Sequence, residues 1–362
     1  VNGLFEILKT VIAFIVIFGV LVFVHEFGHF IIAKRSGIKV LEFAFGIGPK
    51  LFGFQGKETL YSIRILPLGG FCRFLSVEEV EEGEEGDQVS REELLARSFE
   101  SKSIWKRMAV IVAGPLMNFI LGAVLFVVAF AFFGVAVADN QNLIGEVSLG
   151  KPAATAGLAA GDRIMAINGT ETPDWNSVTQ QIHTNPGEKM SFTVEKADTK
   201  QIVTIEITPA YDQELGKGLI GIAPSYTMQK VSVLKSIQYG FLQTVEFTRQ
   251  LVLYLIHMIT GKAPVELSGP IGVAQVIGEG VKQGMSSLFT LAAVLSINFG
   301  VLNILPLPAL DGGQLAVMTF EGIRRKPLSI EKKGWIQLTG FALLIALMIA
   351  VTYQDILRII TK

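Results

Sequence analysis

Thr10–Ala33, TVIAFIVIFGVLVFVHEFGHFIIA, is a run of 24 residues bounded by Lys9 and Lys34 and holding no lysine or arginine. A helix needs about 20 apolar residues to cross the hydrocarbon of a bilayer, and this run exceeds that. It is too long for a signal-peptide core and ends in no small-residue cleavage site, so it reads as a retained span. Comparable stretches are Met108–Ala138, Gln283–Leu310 and Gly334–Gln354. The chain is therefore expected to be a mainly α-helical polytopic membrane protein with four transmembrane helices. Composition agrees: 50% of the 362 residues are hydrophobic and 17% charged, against about 25% charged in soluble domains, and mean hydropathy is +0.50. With 31 basic and 32 acidic residues, a net charge of −1 provides no global basic field, and nucleic acid is excluded as a partner. The single cysteine, Cys72, rules out an internal disulfide and a cysteine-based zinc cluster.

Basic residues near the span ends set orientation. Eleven (Lys34, Arg35, Lys39, Lys102, Lys106, Arg107, Arg324, Arg325, Lys326, Lys332, Lys333) face five (Lys9, Lys151, Lys282, Arg358, Lys362). This places loops 35–107 and 320–334 in the cytoplasm, and both termini and residues 139–283 outside. Within the first loop, Leu60–Phe74 (LYSIRILPLGGFCRF) reads as a β-hairpin around Pro67, Gly69 and Gly70, apolar enough to dip into the membrane. The segment 78–100 carries ten acidic residues, including Glu84, Glu85 and Asp87, and reads as a solvated linker ending in a short helix. From Ser236 to Thr260 a helical apolar pattern interrupted by Glu246 and Arg249 suggests a helix on the outer surface rather than a fifth span.

The chemistry lies inside the first span. His25-Glu26-Phe27-Gly28-His29 is an H-E-x-x-H pattern. Histidines four apart share a helix face and can bind one Zn²⁺, with Glu26 beside them as proton acceptor. Two histidines and a glutamate in hydrocarbon are costly without a functional partner. A catalytic zinc takes three protein ligands and keeps one position open, so a further donor is needed. His183 and His257 fall on the opposite side of the membrane. Asp311 fits, following the third apolar stretch in NILPLPALDGG (Asn303–Gly313), whose prolines and glycines must interrupt a helix; irregular backbone at membrane depth is tolerated where it lines a cavity. The bland alternative is an aspartate capping a helix at the membrane surface.

Taken together, HEFGH, Leu310-Asp311-Gly312, the Gly114-Pro115-x-x-Asn118 pattern in the second span and Ser268–Gly272 (SGPIG) resemble the site-2 protease family of intramembrane zinc metalloproteases, bacterial regulator-of-sigma-E branch. The resemblance runs over nearly the full length. It implies His25, His29 and Asp311 as zinc ligands, Glu26 as base, Asn303 as a group holding the substrate backbone or oxyanion, Asn118 among substrate-binding residues, and the hairpin with Gly69 and Gly70 as a substrate clamp. It further implies a bacterial cytoplasmic membrane, an active site near the cytoplasmic side, and transmembrane substrates such as a membrane-anchored anti-sigma factor already trimmed by an upstream protease, or signal-peptide remnants. Gly145–Gly169 (GEVSLGKPAATAGLAAGDRIMAING) looks like a bacterial PDZ domain, a single extracytoplasmic α+β module expected over 139–225. Its expected role is to exclude substrates with bulky external parts, in preference to binding a carboxyl terminus.

The expected organisation is a first membrane part over 1–138, the PDZ domain over 139–225, a linker with the surface helix over 226–283, and a second membrane part over 284–362. The function expected is zinc-dependent cleavage of transmembrane segments. Two rivals remain at this level: a zinc transporter, which would commonly show an internal repeat, and an inactive PDZ scaffold, against which the cost of burying Glu26 argues.

Overall fold

Long apolar runs without helix breakers become long helices. In the computed structural model, which describes residues 2–82, 90–139, 141–212, 216–264 and 267–360, the first run extends into α1 (Asn2–Arg35). It is followed by strands β1 (Val40–Gln55) and β2 (Leu60–Phe74), short helices α2 (Val77–Glu82) and α3 (Arg91–Ala96), and α4 (Ile104–Phe133). Glu84, Glu85 and Asp87 of the acidic linker lie outside the described residues; the linker is flanked by a helix on each side, not one. Among the described residues four helices are long and apolar enough to cross a membrane, within Gly3–Arg35, Ile104–Phe133, Met285–Ile304 and Glu331–Ile360. The second ends five residues earlier than expected, at Phe133, because Gly134 takes a positive φ of 90° and the chain turns extended.

The module between the second and third spans contains β3 (Val135–Ala138), β4 (Ile144–Val147), α5 (Pro152–Thr155), β5 (Arg163–Ile167), β6 (Thr170–Glu171), α6 (Trp175–Thr184), β7 (Met190–Glu195), β8 (Ile202–Ile207), β9 (Ala210–Asp212), β10 (Lys217–Leu219), β11 (Ile222–Pro224) and β12 (Tyr226–Gln229). A four-stranded sheet runs β6-β5-β7-β8, and β11 pairs with β4. Asn168 and Gly169, both at positive φ, form the two-residue connection between β5 and β6, the backbone that an Asn-Gly turn favours. The alternating strand β7 buries Met190, Phe192 and Val194 against Ile144, Ile164, Ile167, Val178 and Ile182. Asp162 is buried and accepts from Lys196 Nζ at 2.6 Å and from the Ala159 and Ala197 amides at 3.0 Å. Burial pushes its carboxyl up, but these donors outweigh that and hold it below the usual aspartate range. The compact unit comprises 130–232 with 257–263, wider than 139–225, because β3 and β12 pair with each other at its two ends.

The membrane unit resumes with α7 (Val233–Ile259), α8 (Pro270–Gln283), α9 (Met285–Ile304), α10 (Asp311–Arg324) and α11 (Ile330–Ile360). α7 buries its small-residue face, Ser236, Gly240 and Thr244, and a Cβ at Gly240 would meet the Val127 backbone of α4 at 2.9 Å. α8, which no sequence signal had separated from a linker, packs Ile277 into a cluster with Ile17 and Leu21 of α1 and Ala292 of α9. Most of α11 is apolar and exposed, including Phe341, Leu343 and Ile349, which suits lipid as its solvent.

The hairpin differs from expectation. The two halves of Leu60–Phe74 do not pair with each other; residues 42–45 pair with 70–73 on one side and 60–63 on the other, and 60–63 pair in turn with 52–55. Val40–Phe45 supplies the extended apolar partner that each half needs. The sheet order is thus 70–74, 40–45, 60–63, 52–55, which leaves 70–74 as an edge. Glu42, buried within it, accepts from Ser62 Oγ at 2.6 Å and Arg64 at 2.7 Å. Burial pushes the Glu42 carboxyl up, yet the hydroxyl and guanidinium hold it below the ordinary glutamate range.

Candidate metal centre

The H-E-x-x-H turn sits in the C-terminal third of α1, and its two imidazoles point at α4 and α10. His25, His29 and Asp311 are 5%, 6% and 8% exposed. His25 Nε2 and His29 Nε2 are 3.2 Å apart, and Asp311 Oδ2 lies 3.1 Å from the first and 3.4 Å from the second. Zinc bound to nitrogen or oxygen at roughly 2.0–2.2 Å in a tetrahedron separates its ligand atoms by about 3.3 Å. All three edges match. Among the described residues no conventional hydrogen bond reaches the buried Asp311 Oδ2, and His29 Nδ1–H donates to the Val110 carbonyl at 2.9 Å, so its Nε2 turns a lone pair toward His25 Nε2 and Asp311 Oδ2. Acceptors converging in this way call for a cation, and two imidazoles with one carboxylate form a donor set that zinc accepts.

Glycines make the approach possible. A Cβ at Gly28 would run into the Ala113 carbonyl, so α1 and α4 meet backbone to backbone. A Cβ at Gly114 would overlap His29 and come within 2.9 Å of His25 Cε1. On the other side, Gly312 and Gly313 let the first turn of α10 press onto the carbonyls of Ile304, Leu305 and Leu307, so the non-helical 305–310 segment delivers Asp311 at the first position of its helix.

Glu26, Asn303, Gly69 and Gly70 share with the three donors a cavity of about 470 Å³. Gly70 lies at the hairpin edge, where a Cβ would stand 3.2 Å from Glu26 Cγ and 3.1 Å from Val22. Asn303 is buried, and its Nδ2 donates to Phe299 O at 2.9 Å. Asn118 is placed differently from expectation: it is fully buried, does not line this cavity, and stands 2.9 Å from His25 Nδ1. Residues that the sequence reading passed over include Phe299, whose ring meets His25 edge-on at 5.2 Å, and Ser296. Their signal was available, since Ser296, Phe299, Gly300 and Asn303 follow the i, i+3, i+4, i+7 spacing of one helix face. The Val110 carbonyl left no signal, being backbone.

A second hollow of about 520 Å³ adjoins the cavity, sharing Cys72, Phe74, Ile111, Ala309 and Gln314 with it and adding Arg73, Glu100, Arg107, Glu321 and Lys333. Glu321 accepts from Lys333 Nζ and the Leu328 amide, both at 2.8 Å. Burial pushes its carboxyl up, but these partners and Arg107 keep it below the ordinary range. Burial also pushes the Cys72 thiol well up, which removes it as a thiolate ligand or nucleophile.

The sequence profile of "Peptidase family M50" matches residues 13–347. The chain is similar to "Zinc metalloprotease RasP" of Geobacillus kaustophilus, 36% identical over 97% of this chain and 98% of that protein. It is likewise similar to "Regulator of sigma-W protease RasP" of Bacillus subtilis, 36% identical over 97% and 99%, and to a putative zinc metalloprotease of Clostridium acetobutylicum, 37% identical over 96% and 97%. Among solved structures, the PDZ domain of an SdrC-like protein of Listeria monocytogenes matches 25% of this chain and 93% of its own at 24% identity, with a TM-score of 0.21.

Proposed function

The chain belongs to peptidase family M50, the site-2 protease family, and from that premise we propose that it is an intramembrane endopeptidase cutting transmembrane segments of single-pass proteins. It is a zinc metallopeptidase, so the transporter and inactive-scaffold readings fall away. The observation that carries the proposal is the convergence of three buried donors at 3.1–3.4 Å beside Glu26, in a cavity walled by a strand edge, within a chain of four candidate spans.

His25, His29 and Asp311 hold the zinc. The bound metal supplies Lewis acidity, activating water and polarising a carbonyl at neutral pH. Glu26 takes the proton of the attacking water and passes it to the leaving amine as the peptide bond breaks. Asn303, once its amide turns from Phe299 O toward the cavity, donates to the developing oxyanion. The substrate helix must unwind, because its amides are paired internally. Edge segment 70–74 binds the freed strand by main-chain hydrogen bonds, with Gly69 and Gly70 keeping the strand close to Glu26. The adjoining polar hollow gives water a route to the site.

On this reading loops 35–107 and 320–334 face the cytoplasm of a bacterial membrane, and the module holding β3–β12 is an external PDZ-type domain that excludes substrates with large external parts. The Bacillus subtilis relative is named a regulator of sigma-W protease, and a membrane-anchored anti-sigma factor trimmed by an upstream protease is the proposed substrate class here, with signal-peptide remnants second. The test is to purify the protein and Glu26→Gln, measure zinc, and incubate each with a model transmembrane substrate. Cleavage by the parent alone, with zinc in both, is the expected result; no cleavage by a zinc-loaded parent counts against it.

A further inference from the structure

We propose that Asn118 is a positioning residue for the metal centre: its side-chain oxygen accepts the Nδ1 proton of His25 and so fixes the ring that presents Nε2 to zinc. The inference rests on the zinc reading of the site. An imidazole that gives its Nε2 lone pair to a cation carries its remaining proton on Nδ1. That N–H must meet an acceptor, and the other ring nitrogen of a ligating histidine almost always does. For His29 the acceptor is the Val110 carbonyl. For His25 the group at 2.9 Å is Asn118 Nδ2, a donor facing a donor, while Asn118 Oδ1 is buried with no hydrogen-bond partner. The two ends of an amide differ little in shape, and their assignment follows from the hydrogen-bond network. Half a turn of the Asn118 amide removes both mismatches together: Oδ1 accepts from His25 Nδ1–H, and the orphaned oxygen is satisfied.

The surroundings make Asn118 a fixed support. It is fully buried on α4, one turn after Gly114, whose missing Cβ admits the imidazoles. Its backbone carbonyl accepts from Ser296 Oγ of α9 at 2.8 Å, and Phe299 of the same α9 face packs edge-on against the His25 ring. His25 on α1 is thereby held by both α4 and α9. Because Asn118 has no surface in the substrate cavity, its contribution is to the metal ligand and not to the substrate.

The experiment measures zinc affinity of the full-length, detergent-purified protein by chelator competition, with thermal unfolding of the zinc-free form and the absorption spectrum of the cobalt-substituted form as further readouts. Asn118→Leu, similar in size but without an acceptor, is expected to weaken zinc binding about 10–100-fold and to alter the cobalt spectrum, while unfolding stays near the parent's. Asn118→Asp retains an acceptor oxygen and is expected to stay within a few-fold of the parent. Asn118→Leu holding zinc like the parent, or Asn118→Asp losing as much as Asn118→Leu, overturns the proposal. Should the leucine variant not fold, the aspartate variant decides alone: retained affinity supports the role and lost affinity overturns it. A parent that binds no zinc, or binds it equally well after His29→Ala, sinks the zinc reading itself, whereas a parent that loads zinc normally beside an unaffected Asn118→Leu sinks only the role of Asn118.

Discussion

Gly114→Ala adds one methyl group where the structure has no room for it. The new Cβ would stand 2.9 Å from His25 Cε1 and overlap Nε2 and Cε1 of His29, where ordinary contact begins at 3.4 Å. The His29 ring must retreat further than the His25 ring, and both are proposed zinc ligands. Neither can move freely, since His29 Nδ1 is tied to Val110 O and His25 is packed against Phe299. A misplacement on the order of 1 Å at a catalytic centre costs about 100-fold in rate, equivalent to ~2.7 kcal/mol of barrier. Helix propensity acts the other way, because glycine to alanine inside a helix is favourable by about 1 kcal/mol. The α4 helix should therefore survive while the metal centre fails. Zinc stoichiometry by elemental analysis, together with the rate of cleavage of a transmembrane substrate, reads the two effects separately. A Gly114→Ala protein with one zinc per chain and the parent's rate would refute the packing argument and with it the placement of both imidazoles.

Gly70→Val should reduce cleavage at least 10-fold with zinc retained, since its side chain meets Glu26, Val22 and Ala44 O and blocks the strand edge; parent-like cleavage would discard the clamp. Glu321→Ala strands Lys333 and Arg107 around a buried site and should cost about 3 kcal/mol, read as a lowered melting temperature in detergent. Asp162→Ala should cost on the order of 2–3 kcal/mol locally, read as faster hydrogen exchange at the Ala159 and Ala197 amides. Asp162 also has a pH signature: its native value is depressed, so its stabilisation is complete above the ordinary aspartate value of about 3.9 and fades as pH falls through the lower native value. Exchange at those amides that accelerates on raising the pH from 4 to 7, beyond the intrinsic rate change, contradicts this.

What the sequence made legible was chemistry set against an apolar background. His25, Glu26 and His29 stand out because lipid penalises them, and Asp311 because Pro306, Pro308, Gly312 and Gly313 forbid a regular helix around it. The structure brings His25, His29 and Asp311 within reach of one another. Local turn chemistry was legible too, as at Asn168-Gly169. Long-range pairing was not. Val40–Gln55, interrupted by Gly46, Gly48, Pro49 and Gly53, becomes the partner of both halves of Leu60–Phe74, because strand order depends on segments that meet only in the fold. The same cause hid the pairing of Val135–Ala138 with Tyr226–Gln229, some 90 residues apart in sequence. Asn118 was flagged by its motif but assigned to substrate, since spacing within one helix does not disclose which neighbouring helix a side chain meets.

On the proposed mechanism the site formed by His25, His29 and Asp311 with zinc, and Glu26 as base, cuts a peptide bond inside an apolar segment. The most direct measurement is mass-spectrometric mapping of the new termini after the purified protein acts on a single-pass substrate in liposomes, with zinc-loaded Glu26→Gln in parallel. Termini within the apolar segment are expected from the parent and none from the variant. Termini found only outside that segment, or equal cleavage by Glu26→Gln, would contradict it.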